Sequence, residues 1–546
     1  MSAAEAAPGA QASSPIQQAL ASREPGQLAG AERMLRGILA VEPDHFDARH
    51  LLGLICHQQG RNVEALQLVS ALLKAAPRSP ELLNNCGLIL TALTQHQQAL
   101  ACFEKAFALN TGNLAALKNR AGALKRLRRF DDALAAYEAV LALHADDIDA
   151  LNECGGLFTA LNRPEEALAC YQRALVAAPG VAELHINKGT ALVALNRHEE
   201  ALESFSAAIA VDPERAEAHY NQSLVRLRLG DFQSGWRQYE WRWKKFVGAG
   251  RGRFSGAPLW LGEEPLKDKT ILLLAEQGLG DSIHFMRYVP LVAALGARVV
   301  LGVQSPLKAV AATQPGIALV VGEGEPLPPL DFHCPLLSLP LAFKTELATV
   351  PANVPYLRAP EERLAQWRGR VPANGRLRVG ICWAGSAVHL NDRNRSIALD
   401  RFAALLTVPG LDFVSVQKET GEAERALLRA SGVVQLGPEC ADFADTAAVL
   451  SMLDLLISVD TSVAHLAGAM GKAVALLLPF ASDFRWLVER TDSPWYPTMR
   501  LYRQPAIGDW DTPLRRLRQE LSVVAERMGQ STSGKLEDSL DCSPSP

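Results

Sequence analysis

The chain has 546 residues, enough for two or more domains with cores of their own. It is 48% hydrophobic and 21% charged with a formal net charge of -4, so no global basic field recruits nucleic acid, and no nucleic-acid partner is expected. Nine scattered cysteines contain no Cys-x-x-Cys pair and suggest neither a zinc site nor a disulfide framework. Met1–Pro15 has no basic region followed by an apolar one, and apolar runs such as Ala473–Pro479 are far too short to span a bilayer. A cytoplasmic protein without a membrane span is the expectation.

After a stretch expected to be disordered (1–14), residues 15–246 repeat with a period of 34. A small residue recurs at Ala31, Ala65, Ala99, Ala133, Ala167, Ala201 and Gly235, and one turn later come Leu35, Val69, Phe103, Tyr137, Tyr171, Phe205 and Tyr239. Gly53, Gly87, Ala121, Gly155, Gly189 and Ser223 mark the facing helix, and Pro43, Pro77, Pro179 and Pro213 mark the turn between repeats. Small residues let helices approach, aromatic residues fill the space above them, and proline stops the second helix. The pattern resembles the tetratricopeptide repeat, with about six clear copies and a degenerate one in front. Such arrays bind peptides or proteins on a concave face. One column, Asn85, Asn119, Glu153, Asn187 and Asn221, reads either as an amide ladder for an extended peptide or as capping and solvation.

The last repeat crowds Trp236, Tyr239, Trp241 and Trp243 into a few residues, which predicts packing on the next domain. A glycine-rich linker is expected over 247–266. Beyond it, apolar runs alternate with helical ones. Expected strands are 270–274, 298–303, 318–321 and 331–334, then 377–383, 412–417, 432–436, 453–459 and 473–478. A break near 351–375 divides these into halves over 267–358 and 374–528. A Ser- and Pro-rich tail (529–546) is expected to be disordered.

Four strand ends carry chemistry. Leu272–Ser282 reads as a buried strand, a glycine turn with Gly278 and Gly280 where a ligand can approach the main chain, and a helix beginning at Asp281. Ile457–Ala467 ends a strand at Asp460 and starts a helix with Thr461, Ser462 and His465, the arrangement of a phosphate site. Cys382–Ser386 leads into a loop with Arg393 and Arg395, whose forks suit a diphosphate, and Lys418 follows another strand. Asp509-Trp510-Asp511 imitates a metal-binding Asp-x-Asp but precedes a terminal amphipathic helix, so it reads as a helix start.

Gly280-Asp281 followed by Tyr288-Val289-Pro290, together with Asp460-Thr461 and His465-Leu466-Ala467, resembles the heptosyltransferase-like glycosyltransferases of family 9 over roughly residues 268–505. The joining of such a domain to repeats is similar to the protein O-linked N-acetylglucosaminyltransferases. The resemblance implies an α + α/β chain: a helical tetratricopeptide superhelix followed by a GT-B-like pair of Rossmann-type halves. It implies inverting, metal-independent transfer from a nucleotide-diphosphate-sugar, with no other cofactor. Asp281 maps to the general base. Gly278, Gly280, Arg393, Arg395, Lys418, Asp460, Thr461, Ser462 and His465 map to the donor site. Ser462 stands where the family has glycine, and the first half is short. The expected acceptor is a protein or peptide chosen by the repeats; a glycan or lipid acceptor and homo-oligomerisation are left open. The alternative is a scaffold with a degenerate transferase domain.

Overall fold

The computed structural model describes residues 25–246, 256–389 and 391–530. The N-terminus (1–14), the first part of the expected linker and the tail beyond 530 lie outside the described residues. The chain divides into two compact units between Ala191 and Leu192.

A single helix, α1 (Pro25–Val41), precedes six helix pairs among the described residues. They are α2 and α3 (Phe46–Gln58, Asn62–Ala75), α4 and α5 (Pro80–Ala92, His96–Leu109), α6 and α7 (Leu114–Arg126, Phe130–Leu143), α8 and α9 (Ile148–Ala160, Pro164–Ala177), α10 and α11 (Ala182–Ala194, His198–Val211), and α12 and α13 (Ala216–Arg228, Phe232–Tyr239). Local chemistry sets the ends. Asn113 and Asp147 accept from the amides of Ala116 and Ala150 at 3.0 and 2.9 Å, satisfying free donors of the first turn. The helices α3 and α11 each stop two residues before a proline, Pro77 and Pro213. The column of small residues is fully buried at Ala65, Ala99, Ala133 and Ala167. Against the small residues of the facing helix the aromatic column packs so closely that a methyl group on Gly155 would lie 2.5 Å from the ring of Tyr171.

The second unit contains α11 to α13, a short helix α14 (Arg242–Lys245) and two parallel sheets. The first sheet holds β1 (Thr270–Leu274), β2 (Arg298–Gly302), β3 (Ile317–Val321) and β4 (Phe332–Pro335) in the order β3-β2-β1-β4. The second holds β5 (Leu377–Cys382), β6 (Leu411–Ser415), β7 (Val434–Gln435), β8 (Leu455–Val459), β9 (Val474–Leu478) and β10 (Met499–Arg503) in the order β10-β9-β8-β5-β6-β7. Strands β8 and β9 are buried along their whole length, as expected of a sheet covered on both faces. The layout is α followed by α/β.

Two differences from expectation have physical causes. The described part of the expected linker is packed: the Trp260 amide donates to the His333 carbonyl at 2.8 Å, and Trp260 and Leu266 are buried. The tenth strand went unread because Met-Arg-Leu-Tyr-Arg at the sheet's edge alternates apolar with charged residues instead of forming an apolar run. No helix among the described residues is long and apolar enough to cross a membrane.

Candidate active site

In each sheet the chain moves outward from a central strand and then returns to its other side, which creates a switch point between β1 and β4 and another between β5 and β8. Ligands of open parallel sheets bind beyond the carboxyl ends of strands at such points. The helices that follow β1 and β8, α15 (Leu279–Phe285) and α16 (Ser462–Ala469), pack on each other. Gly280 permits this: a methyl group there would lie 3.0 Å from His465 Cδ2 and 3.5 Å from Ser462 Cα. Gly280 therefore serves helix–helix approach, a different role from the ligand approach expected of it. Gly278 has ordinary extended angles and caps α15.

Asp281, half-buried in the first turn of α15, accepts from the Gly278 amide at 2.9 Å through Oδ2, while its Oδ1 accepts from Arg485 Nη2. Arg485 is 6% exposed and also pairs with Asp483 at 2.8 Å. It rides on a single 3-10 turn (Phe484–Trp486) after β9. The next residue, Trp486, donates from Nε1 to Asp460 Oδ2 at 2.8 Å and stacks on His465 with ring centroids 5.4 Å apart. One turn thus engages both carboxylates. Burial, reinforced by Asp483, raises Asp460 to about 6, against the pull of Trp486 and of Arg485 and Arg395.

His465 and His284 are buried, and both direct Nδ1 at the Tyr496 hydroxyl, at 3.0 and 3.1 Å. A hydroxyl has one proton, so it donates to one ring and accepts from the other. Burial, and then Arg485 for His465 and Arg287 for His284, holds both rings well below the usual imidazole range. Arg287 has neutral oxygen partners: the carbonyls of His284 (2.7 Å), Pro351 (3.1 Å) and Trp495, and the Tyr356 hydroxyl (3.3 Å).

Thr461 begins α16 with no side-chain cap, its hydroxyl 3.2 Å from Ser458 Oγ, and Ser462 follows half-buried. Arg395 donates to the Asp460 carbonyl at 3.1 Å and lies against Gly385, where a side chain would collide with its guanidinium. Asp460, Thr461, Ser462, His465 and Arg395 are therefore brought together with Asp281. Arg393 is exposed on the same loop. Lys418 is not directed there: its ammonium donates to the Cys440 carbonyl. The preceding residue, Gln417, takes its place, accepting from the Ala384 amide at 3.1 Å and the Cys382 thiol at 3.3 Å. Arg485, Trp486, Tyr496 and Gln417 escaped the sequence reading. The available signal was Asp483-Phe484-Arg485-Trp486, a polar pair after an apolar strand. Asp509 caps the terminal helix, accepting from the Thr512 amide at 3.1 Å.

Within the first unit, two cavities of about 370 and 270 Å³ lie along the repeats. Asn119 lines the first and Asn187 the second. Each donates its amide to an asparagine one repeat earlier, Asn119 to Asn84 and Asn187 to Asn152, both at 2.8 Å. Asn85 instead bonds His50 at 2.9 Å, and Asn221, in the second unit, accepts from Lys245 at 3.2 Å. Two of the four asparagines are thus paired with amides, one with a histidine and one with a lysine, and the four are not equivalent free groups.

Family models described as tetratricopeptide repeat match residues 23–84, 80–113, 118–182 and 186–235. Residues 23–235 are tetratricopeptide repeats. Solved structures similar to the chain include YrrB, described as a TPR protein with an unusual peptide-binding site (20% identity over 32% of this chain and 91% of that one, TM-score 0.29). They also include MamA from Desulfovibrio magneticus RS-1 (22%, 34% and 96%, TM-score 0.29) and a tetratricopeptide repeat protein from Parabacteroides merdae ATCC 43184 (16%, 42% and 89%, TM-score 0.35). The chain is also similar to Protein FlbA of Caulobacter vibrioides, 26% identical over 320 residues. That match takes in 54% of this chain and 53% of FlbA, so the chain spans about half the length of this curated relative. The tetratricopeptide array ends at α13, whose aromatic residues enter the core of the sheets: Trp236 lies within about 6 Å, centroid to centroid, of Phe285 and Phe484.

Proposed function

We propose that the two sheets form a GT-B glycosyltransferase that moves a sugar from a nucleotide-diphosphate-sugar to an acceptor hydroxyl. The observation that carries this reading is the meeting of two switch points, with Asp281 from one and Asp460-Thr461 from the other joined through the Arg485 turn. The acceptor hydroxyl attacks the anomeric carbon, the bond from that carbon to the phosphate oxygen breaks, and the hydroxyl proton passes to Asp281. Each Asp281 oxygen keeps a lone pair beyond its present bond. Charge grows on the departing diphosphate, where the first-turn amides of α16, Thr461 and Arg395 stabilise it. The tetratricopeptide array supplies the acceptor, a protein or peptide laid along the cavities at Asn119 and Asn187.

Replacing Asp281 by Asn should lower transfer about 10²- to 10⁴-fold while calorimetry shows unchanged donor affinity; transfer at the wild-type rate would remove Asp281 as the base. Replacing Asn119 and Asn187 together by Ala should raise KM for a peptide acceptor and leave donor binding alone. A second reading, a scaffold whose transferase domain is silent, is favoured by the Arg485–Asp281 ion pair and by Ser462 in place of glycine. It predicts a folded chain with no donor affinity.

A further inference from the structure

The turn that carries Arg485 also packs against α12, whose last residue is Arg228. Arg228 Nε and Nη1 are buried without a hydrogen-bond partner. Arg503, on β10, meets the same turn: it donates to the carbonyls of Arg490 (3.1 Å) and Trp486 and to Ser482 Oγ (2.7 Å). Neither arginine forms an ion pair among the described residues, and the nearby Asp483 is taken by Arg485. Around the same segment, Asn196 donates to the Phe480 carbonyl at 2.9 Å, and Gln504 accepts from the Phe480 amide at 3.1 Å while its own Nε2 has no partner. His198 is 5% exposed, and neither ring nitrogen is bonded. The groups bear the mark of this crowding. Burial draws Arg228 down to about 10; burial and then Arg228 draw Arg503 to about 10 and His198 to about 4.

Cations withdrawn from water without an anion are costly, and unsatisfied donors add to the cost. Guanidinium groups match oxyanions in shape as well as charge. We propose that Arg228, Arg503 and the segment Phe480–Trp486 form a binding site for a small oxyanion, the phosphate or carboxylate group of a ligand. The site lies between the last repeat and the second sheet, shares the Phe484–Trp486 turn with the candidate active site, and does not rest on the transferase reading.

The test is calorimetry and thermal unfolding of the full chain with inorganic phosphate, acetate and UDP, in wild type, Arg228→Gln and Arg226→Gln. Phosphate should bind and raise Tm in wild type and in Arg226→Gln, and Arg228→Gln should weaken it about tenfold or more. Without phosphate, Arg228→Gln should melt no lower than wild type, because it removes a half-buried cation that has no ion pair among the described residues and two buried N–H groups without partners. If UDP binding is lost along with phosphate binding in Arg228→Gln, the oxyanion belongs to a nucleotide. If UDP binding survives, the oxyanion is free or carried by the acceptor. Both outcomes place an oxyanion at Arg228. No effect of phosphate, acetate or UDP on wild type, or equal phosphate and acetate binding in Arg228→Gln, would overturn the proposal. Loss of transfer in Asp281→Asn is read separately and does not bear on it.

Discussion

At Gly385 the absence of a side chain lets the Arg395 guanidinium rest against the backbone and reach the carbonyl of Asp460. Replacing Gly385 by Ala should push Arg395 away; calorimetry should show donor affinity falling with little change in Tm, since the displaced side chain is long and flexible. His284 supports a pH prediction. Its buried ring stays neutral in the folded state, whereas the unfolded ring titrates near 6.5. Below that value the unfolded state binds the extra proton, so stability is lost as pH falls. Relative to His284→Phe, wild type should lose about 2 kcal/mol between pH 7 and pH 5, read by denaturant unfolding at each pH. Residue identity at these positions was partly legible. Asp281, Asp460 and Thr461 stand beside apolar strands that announce themselves. Arg485 reaches Asp281 only through the path of the loop after β9, which no spacing in the sequence encodes.

Among the elements, the repeat helices were the most legible, because small and aromatic residues recur at fixed columns. Their coupling is testable. Gly155→Ala should cost about 1–3 kcal/mol by driving a methyl group into Tyr171, and adding Tyr171→Leu should recover part of that loss. A second column was invisible to pattern reading. Residues 60, 94, 128, 162, 196 and 230 all take a left-handed backbone in the turn between paired helices, yet they are Gly, Thr, Arg, Asn, Asn and Gly. Chain geometry imposes the conformation whatever the side chain. Thr94, β-branched with φ at 61°, bears the largest strain, so Thr94→Gly should raise stability by about 1 kcal/mol in thermal or denaturant melts. The amide column was half legible. Its spacing is plain, but the pairing of Asn119 with Asn84 and of Asn187 with Asn152 depends on how neighbouring repeats stack.

Across the molecule, the division at Ala191 falls inside the repeats and not at their end. The crowded aromatic residues of the last repeat mark in the sequence that it packs on the sheets; the sequence does not mark that the division falls one repeat earlier. Trp236 is the center of that core, 2% exposed and ringed by Phe232, Tyr239, Phe285, Phe484 and Trp495. Trp236→Ala should cost the second unit about 3–5 kcal/mol and leave the melting of the first unit unchanged. The central question is whether the strand ends at the two switch points take a sugar donor. The deciding measurement is calorimetric titration of the full chain with UDP-, GDP-, ADP- and TDP-sugars, repeated on a variant carrying Thr461→Ala and Arg395→Ala. Binding of one nucleotide class, weakened about tenfold or more in the double variant, is the predicted result. A well-folded wild-type chain that binds none of them, or binds one equally well in the double variant, would contradict the donor site described.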